Sequence, residues 1–236
     1  MELMTGYYRQ KEDSTALLLQ QYVCRGVPVC LGCICGGEGR EAGIAGGLFT
    51  GGLLEEFRGF RLLKAVEKRE KFLGRMERQL YESRKRCGAS GDFWTAGILC
   101  IGERFLLFSE GAARIVLCNA GFGRPALQEI MGGGIMGGSG MGTEATGGDN
   151  MGRDGGERRQ LQTKWGSMEM EIGILLASES LFGAVPREDM QNCLWVKNIR
   201  DSRQTQKRVQ ELGRAARRRN DREMGALLLE VRQSNG

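Results

Sequence analysis

Along one stretch of the chain, apolar side chains return every three or four residues. Leu62, Val66, Arg69, Leu73, Met76 and Leu80 fall at alternating steps of four and three, which places them on one stripe and predicts a helix over 53–87. Arg69 alone interrupts the apolar face, and its stem can lie along that face while the guanidinium reaches water. Glu55 and Glu56 at the start, and Arg84, Lys85 and Arg86 at the end, suit the helix dipole, and Gly88 supplies a left-handed cap. Such a helix is about 52 Å long, so it must project, bend or pair with another helix. Val209, Leu212, Ala216, Met224, Leu227 and Val231 repeat the pattern and predict a second basic helical segment within 197–232.

The rest of the chain has shorter patterns. Ser14 can cap a helix over Thr15–Val23, and Val27–Cys35 reads as a buried strand followed by a Gly-rich loop over 36–52. Ile98–Ile101 and Arg104–Phe108 flank Gly102-Glu103, a hairpin turn, and Arg114–Cys118 completes a small antiparallel meander. Pro125 opens a short helix to Met131. Ile172, Ile174 and Leu176 continue an alternation begun at Met168, a half-buried strand, and Pro186 opens a helix through Val196. Residues 131–156 are rich in Gly and Met, lack the apolar side chains that would offset ordering, and are expected to be disordered. These patterns predict five parts: an N-terminal helix, strand and loop over 1–52; the long basic helix over 53–87; a meander and short helix over 93–130; a flexible linker over 131–156; and a C-terminal strand and basic helical segment over 157–236. The expected class is α+β, mostly α-helical and loosely packed.

Composition removes several chemistries. The chain has no histidine, which excludes Ser-His-Asp and Cys-His nucleophile pairs, HExxH zinc sites and Cys₂His₂ fingers. Neither the phosphate-binding GxxxxGK[ST] pattern nor GxSxG occurs. Gly37-Glu38-Gly39-Arg40-Glu41-Ala42 matches G-x-G-x-x-A, but Glu38 places a carboxylate where a pyrophosphate should sit, and the residues that follow look too Gly-rich for a crossover helix. Cys24, Cys30, Cys33 and Cys35 lack a second zinc knuckle, and a strand would aim Cys33 and Cys35 away from Cys30. The sequence therefore predicts no catalytic residue, no cofactor, no metal ligand and no enzyme. With 38 Gly, 3 Pro and an excess of residues with purine-rich codons, it also fits an open reading frame with no evolved biochemical function.

Charge is the strongest remaining pattern. Residues 50–90 carry net +5 and residues 197–236 net +6, although the whole chain is only +5. The leading functional expectation is sequence-independent binding of RNA or DNA by Arg84, Lys85, Arg86, Arg214, Arg217, Arg218, Arg219 and Arg222. The alternative is a scaffold that binds a helical partner through Leu62, Val66, Leu73, Met76 and Leu80, and a third reading is a basic amphipathic surface on an anionic membrane. The N-terminus has no apolar secretory core, no 18-residue apolar run exists, and the eight cysteines suggest reduced thiols in an intracellular protein, cytoplasmic or nuclear.

Overall fold

The chain builds a sandwich of two antiparallel sheets with helices on both outer faces. A computed structural model describes residues 2–59, 69–89, 93–119, 126–132, 161–167, 172–194 and 201–232. Ten strands are described: β1 (Glu2–Arg9), β2 (Thr15–Cys24), β3 (Val27–Gly36), β4 (Trp94–Ile101), β5 (Arg104–Glu110), β6 (Ala113–Asn119), β7 (Ala126–Gly132), β8 (Gln162–Ser167), β9 (Ile172–Ser178) and β10 (Gly225–Arg232). The first sheet has the order β1-β10-β9-β6-β7 and the second β2-β3-β4-β5-β8. Every described pair is antiparallel.

Three cores hold the layers together. Between the sheets lie Ile34, Trp94, Ile98, Phe105, Leu107, Ile115, Ile174, Leu176, Leu227 and Leu229. Helices α1 (Arg40–Gly59) and α2 (Arg69–Cys87) cover the outer face of the second sheet, where Phe49, Leu53, Phe57, Phe72, Met76 and Leu80 meet Leu31, Leu99, Leu106 and Phe108. Helices α3 (Glu179–Ala184), α4 (Arg187–Leu194) and α5 (Ser202–Arg217) cover the first sheet, where Leu181, Leu194, Val209, Leu212 and Ala216 meet Leu175, Ala177, Ala226 and Leu228. The central strands are thus buried on both faces, Phe105 and Leu107 toward the other sheet and Leu106 and Phe108 toward the helices.

This arrangement corrects the expectation of a mostly helical, loosely packed chain. Thr15–Cys24 is a strand, because Arg25 (φ 53°) and Gly26 (φ 80°) form a two-residue hairpin turn of left-handed residues that returns the chain as β3. Ala126–Gly132 is a strand, where Pro125 had suggested a helix. Among the described residues of the C-terminal basic segment the helix is α5, Ser202–Arg217, and the apolar run GALLLEV forms β10, an interior strand between β1 and β9. Within the long basic stretch, α1 ends at Gly59 and α2 begins at Arg69, and the two pack together on one sheet. The meander is also different: β4 and β5 pair across Gly102, but β6 crosses to the other sheet, between β9 and β7. The Gly/Met-rich segment lies outside the described residues except for Met131 and Gly132, which end β7.

The Gly-rich loop expected at 36–52 is mostly helix. Ala42, Ala45, Phe49, Leu53 and Phe57 form a buried stripe that outweighs the weak propensity of its glycines. Gly43 and Gly46 let this helix approach the sheet closely: a Cβ on Gly43 would lie 2.0 Å from the Asp13 carbonyl oxygen, and one on Gly46 would lie 3.0 Å from the Cβ atoms of Ala16 and Cys35.

Candidate functional site

Several chain connections meet at one end of the sandwich. The backbone N–H of Gln10, in the turn after β1, donates to the carbonyl of Met224 just before β10 (3.0 Å). At the β9–α3 junction, Glu179 N–H donates to the Ala112 carbonyl in the β5–β6 turn (2.8 Å), and Ser180 Oγ donates to the Glu223 carbonyl (2.6 Å). Asn220 Nδ2 donates to the Ser180 carbonyl (3.4 Å), and its Oδ1 accepts from Arg222 N–H (3.0 Å), which fixes the turn between α5 and β10. The β1–β2 and β5–β6 connections each carry the chain from one sheet to the other at this end.

A cavity of about 480 Å³ opens there, lined by Lys11, Glu38, Gly39, Asn220, Asp221, Arg222 and Glu223. Its wall joins three connections: the β1–β2 turn, the β3–α1 turn and the α5–β10 turn. Gly39 (φ 88°) makes the bend that starts α1, so the N-terminus of a 20-residue helix borders the cavity. Lys11, Glu38, Asp221 and Arg222 are exposed, and Glu223 is half-buried. The Glu223 carboxylate is already engaged, for its Oε1 accepts from Ser14 Oγ and from Thr15 Oγ1 (2.8 Å), both buried hydroxyls.

The basic residues singled out in the sequence fall on two opposite outer layers. Arg84, Lys85 and Arg86 end α2 over the second sheet, whereas Arg214 and Arg217 lie in the last turn of α5 over the first. Arg84 donates to Glu110 and to the Ala89 carbonyl, Lys85 lies 5.9 Å from the Tyr81 ring centroid, and Arg86 is exposed. Arg214, Arg217, Arg218 and Arg219 are exposed, and Arg219 donates to the Ala184 carbonyl (3.3 Å). Of the eight residues, only Arg222 lines the cavity. The fold therefore divides these groups instead of joining them in one polyanion surface. The apolar seam proposed for a helical partner is internal as well: Met76 and Leu80 are buried in the chain's own core, Leu73 packs against that core, and Leu62 and Val66 lie outside the described residues.

Sequence reasoning missed Lys11, Asn220, Asp221, Glu223, Ser14 and Thr15, which are polar residues of no known motif brought together only by topology. Gly37-Glu38-Gly39 was visible as a strand-to-turn signature, and it does precede a helix. Its strand, however, has antiparallel neighbours on both sides, so no parallel crossover unit for a dinucleotide exists there.

The thiols do not converge on one point. Cys33 and Cys35 Sγ lie 3.6 Å apart on the helix-facing side of β3, with Thr95 Oγ1 3.1 Å from Cys35, while Cys30 faces the opposite core beside its cross-strand neighbour Cys100. Burial pushes the Cys30 thiol up to about 12 and raises those of Cys35 and Cys100 as well. Cys24 is half-buried at the end of β2.

No family model matches the sequence. Among curated proteins, no match is found either. Solved structures do match. The serine/threonine phosphatase of S. agalactiae superposes with a TM-score of 0.64 at 14% identity, covering 98% of this chain and 100% of that one. The catalytic domain of the serine/threonine protein phosphatase PstP, in complex with two manganese ions, gives 0.58 at 14% identity over 98% and 100%. PppA, a key regulatory component of a type VI secretion system in Pseudomonas aeruginosa, gives 0.58 at 12% identity over 97% of each chain.

At these identities the likeness defines a class of fold, the two-sheet sandwich of serine/threonine phosphatases and related regulators. This chain has that fold over nearly its whole length. The match corrects four expectations drawn from the sequence. A two-sheet sandwich shared with solved proteins replaces the open reading frame without function. The nucleic-acid reading and the helix-scaffold reading lose their structural basis, since the first relied on two long basic helices and the second on an open apolar seam. The expectation that the chain is not an enzyme rested on missing motifs, and this fold, which serves phosphatases, removes that ground. Among the described residues no helix is long and apolar enough to cross a membrane.

Because one neighbour holds two manganese ions, the donor set of this chain bears on whether such ions suit it. They do not fit the described residues. No three His, Cys, Asp or Glu side chains converge on a point. Glu223, the cavity's half-buried carboxylate, is bound by two hydroxyl donors, and Lys11 and Arg222 offset the charge of Glu38 and Asp221. A hard divalent cation takes six or more oxygens, commonly including several carboxylates at one point, and the three carboxylates of this wall, Glu38, Asp221 and Glu223, do not converge on one.

Proposed function

We propose that this chain is a signalling domain that acts on a phosphorylated serine or threonine segment of a protein partner at the end cavity. The observation that carries this reading is the lining of one cavity by Lys11, Arg222 and the N-terminus of α1 at Gly39. Two cations and the positive end of a helix dipole attract a phosphate dianion. Glu38 and Asp221 stand on the same wall, where they complement a basic residue flanking the phosphorylated one. The fold shared with serine/threonine phosphatases and a regulatory component supports the same substrate class. The setting that accords with free, mostly buried thiols is intracellular.

The test is binding of paired peptides, phosphorylated and not, with Lys or Arg beside the modified residue. Arg222→Ala and Lys11→Ala are each expected to weaken the phosphopeptide about tenfold or more, since a charge-assisted hydrogen bond contributes about 1.5–3 kcal/mol. Equal binding of the two peptide forms would refute the reading. A second reading, hydrolysis of the same phosphoester, is favoured by the fold and is read from phosphate release in the same samples.

A further inference from the structure

We infer that the cavity is shaped by a hydroxyl–carboxylate latch on Glu223 and works without a divalent cation. The latch has two halves. On the side-chain half, Glu223 Oε1 accepts from Ser14 Oγ and Thr15 Oγ1, whose residues are 4% and 2% exposed at the start of β2. On the main-chain half, the Glu223 carbonyl accepts from Ser180 Oγ (2.6 Å). Ser178 Oγ lies 3.0 Å from that hydroxyl and accepts from Gly225 N–H (3.4 Å). One residue thus ties the β1–β2 turn, the β9–α3 junction and the α5–β10 turn together.

The latch and a cation compete at this carboxylate. The two hydroxyls donate to Oε1 and present hydrogen, not oxygen, toward it, which leaves Oε2 to offer a metal a single oxygen. The lining carries two cations, Lys11 and Arg222, against three carboxylates, Glu38, Asp221 and Glu223, so its surplus is a single negative charge, too little to balance a divalent ion. The inference stands apart from the phosphoprotein reading, because it concerns what holds the wall and not what enters it.

Two measurements on the full chain test it. Manganese titration followed by electron paramagnetic resonance is expected to show no stoichiometric site, and magnesium or manganese is expected to leave the Tm unchanged. The double variant Ser14→Ala/Thr15→Val is expected to lower the Tm by about 6 °C or more, as two hydrogen bonds to a charged group are lost. Glu223→Gln should lower it less, since an amide oxygen still accepts. Submillimolar manganese binding that disappears in Glu223→Gln would overturn the inference, and so would a double variant as stable as the parent. Neither readout depends on peptide binding, so the two proposals fail separately.

Discussion

Arg84 and Glu110 form the most enclosed ion pair among the described residues, with side chains 20% and 4% exposed. The guanidinium also lies 5.8 Å from the Phe93 ring centroid, and Nε donates to the Ala89 carbonyl, so this arginine binds the end of α2 to the end of β5. Removing one partner leaves the other carrying a buried charge, which costs far more than the pair contributes. Arg84→Ala is expected to destabilise the protein by about 3 kcal/mol, read by urea denaturation, with Arg84→Lys recovering only part because it loses the planar fork. An unchanged midpoint would show that Glu110 finds water instead. The thiols carry a second expectation at this scale. Burial holds Cys30 and Cys193 near about 12 and Cys118 near about 11, against an ordinary thiol value of 9.0. A group raised on folding keeps its proton longer in the native state than in the unfolded one. Its contribution is therefore complete below pH 9 and is lost as pH rises through those values. Urea midpoints should fall steadily above pH 9, and iodoacetamide should reach the half-buried Cys24 and Cys87 before these three. Equal alkylation rates in the folded protein would contradict this.

At the scale of elements, α1 shows why local propensity misled. A run with six glycines in twenty residues, REAGIAGGLFTGGLLEEFRG, favours coil if each residue is judged alone. Burial of Phe49, Leu53 and Phe57 decides otherwise, and Gly43 supplies the close approach that lets them seat. Gly43→Ala would improve helix propensity by about 1 kcal/mol and yet is expected to destabilise the protein, because the new Cβ meets the Asp13 carbonyl oxygen. Gly47→Ala, with open space around the position, is the control and should be neutral or stabilising. Thermal denaturation separates the two, and a stabilised Gly43→Ala would mean that the helix can lift from the sheet at little cost. The same comparison shows what was legible. The β4–β5 hairpin could be read from Gly102 and its flanking apolar runs, and α4 from Pro186. Strand β2 could not, because TALLLQQYV fits a helical period as well as an extended one, and only its pairing with β3 decides.

On the scale of the whole molecule, both sheets are covered on both faces. That is why ALLLEV in β10 shows no clean alternation and fits a helical period, while the alternation read over Ile172, Ile174 and Leu176 in β9 implied a wet face that this strand does not have. The layered architecture was illegible for the same reason, since periodicity reports one wet face and these strands have none. The cavity was harder still. Of its lining, only Arg222 was singled out for binding, and Glu38 was noted as an obstacle to a phosphate site. Their neighbours Lys11 and Asp221 are ordinary surface residues until chain segments some two hundred positions apart are brought side by side.

The pairing of β1 with β10 has a consequence for how the polypeptide is made. The two strands match over Glu2–Arg9 and Gly225–Arg232, so the first described strand has no described neighbour in its sheet except the last. During synthesis β1 emerges some two hundred residues before its partner β10, and β9 likewise lacks one neighbour until β10 appears. The second sheet, whose last strand is β8, can assemble in that interval, whereas the first can pair only β9, β6 and β7. Contacts of such long sequence separation form slowly, and unpaired apolar strands are prone to associate with other chains while they wait. A nascent chain held on the ribosome before β10 emerges is thus a natural client for a chaperone that binds extended apolar segments, with Leu3, Met4 and the β9 run Ile174–Ala177 as the stretches left uncovered.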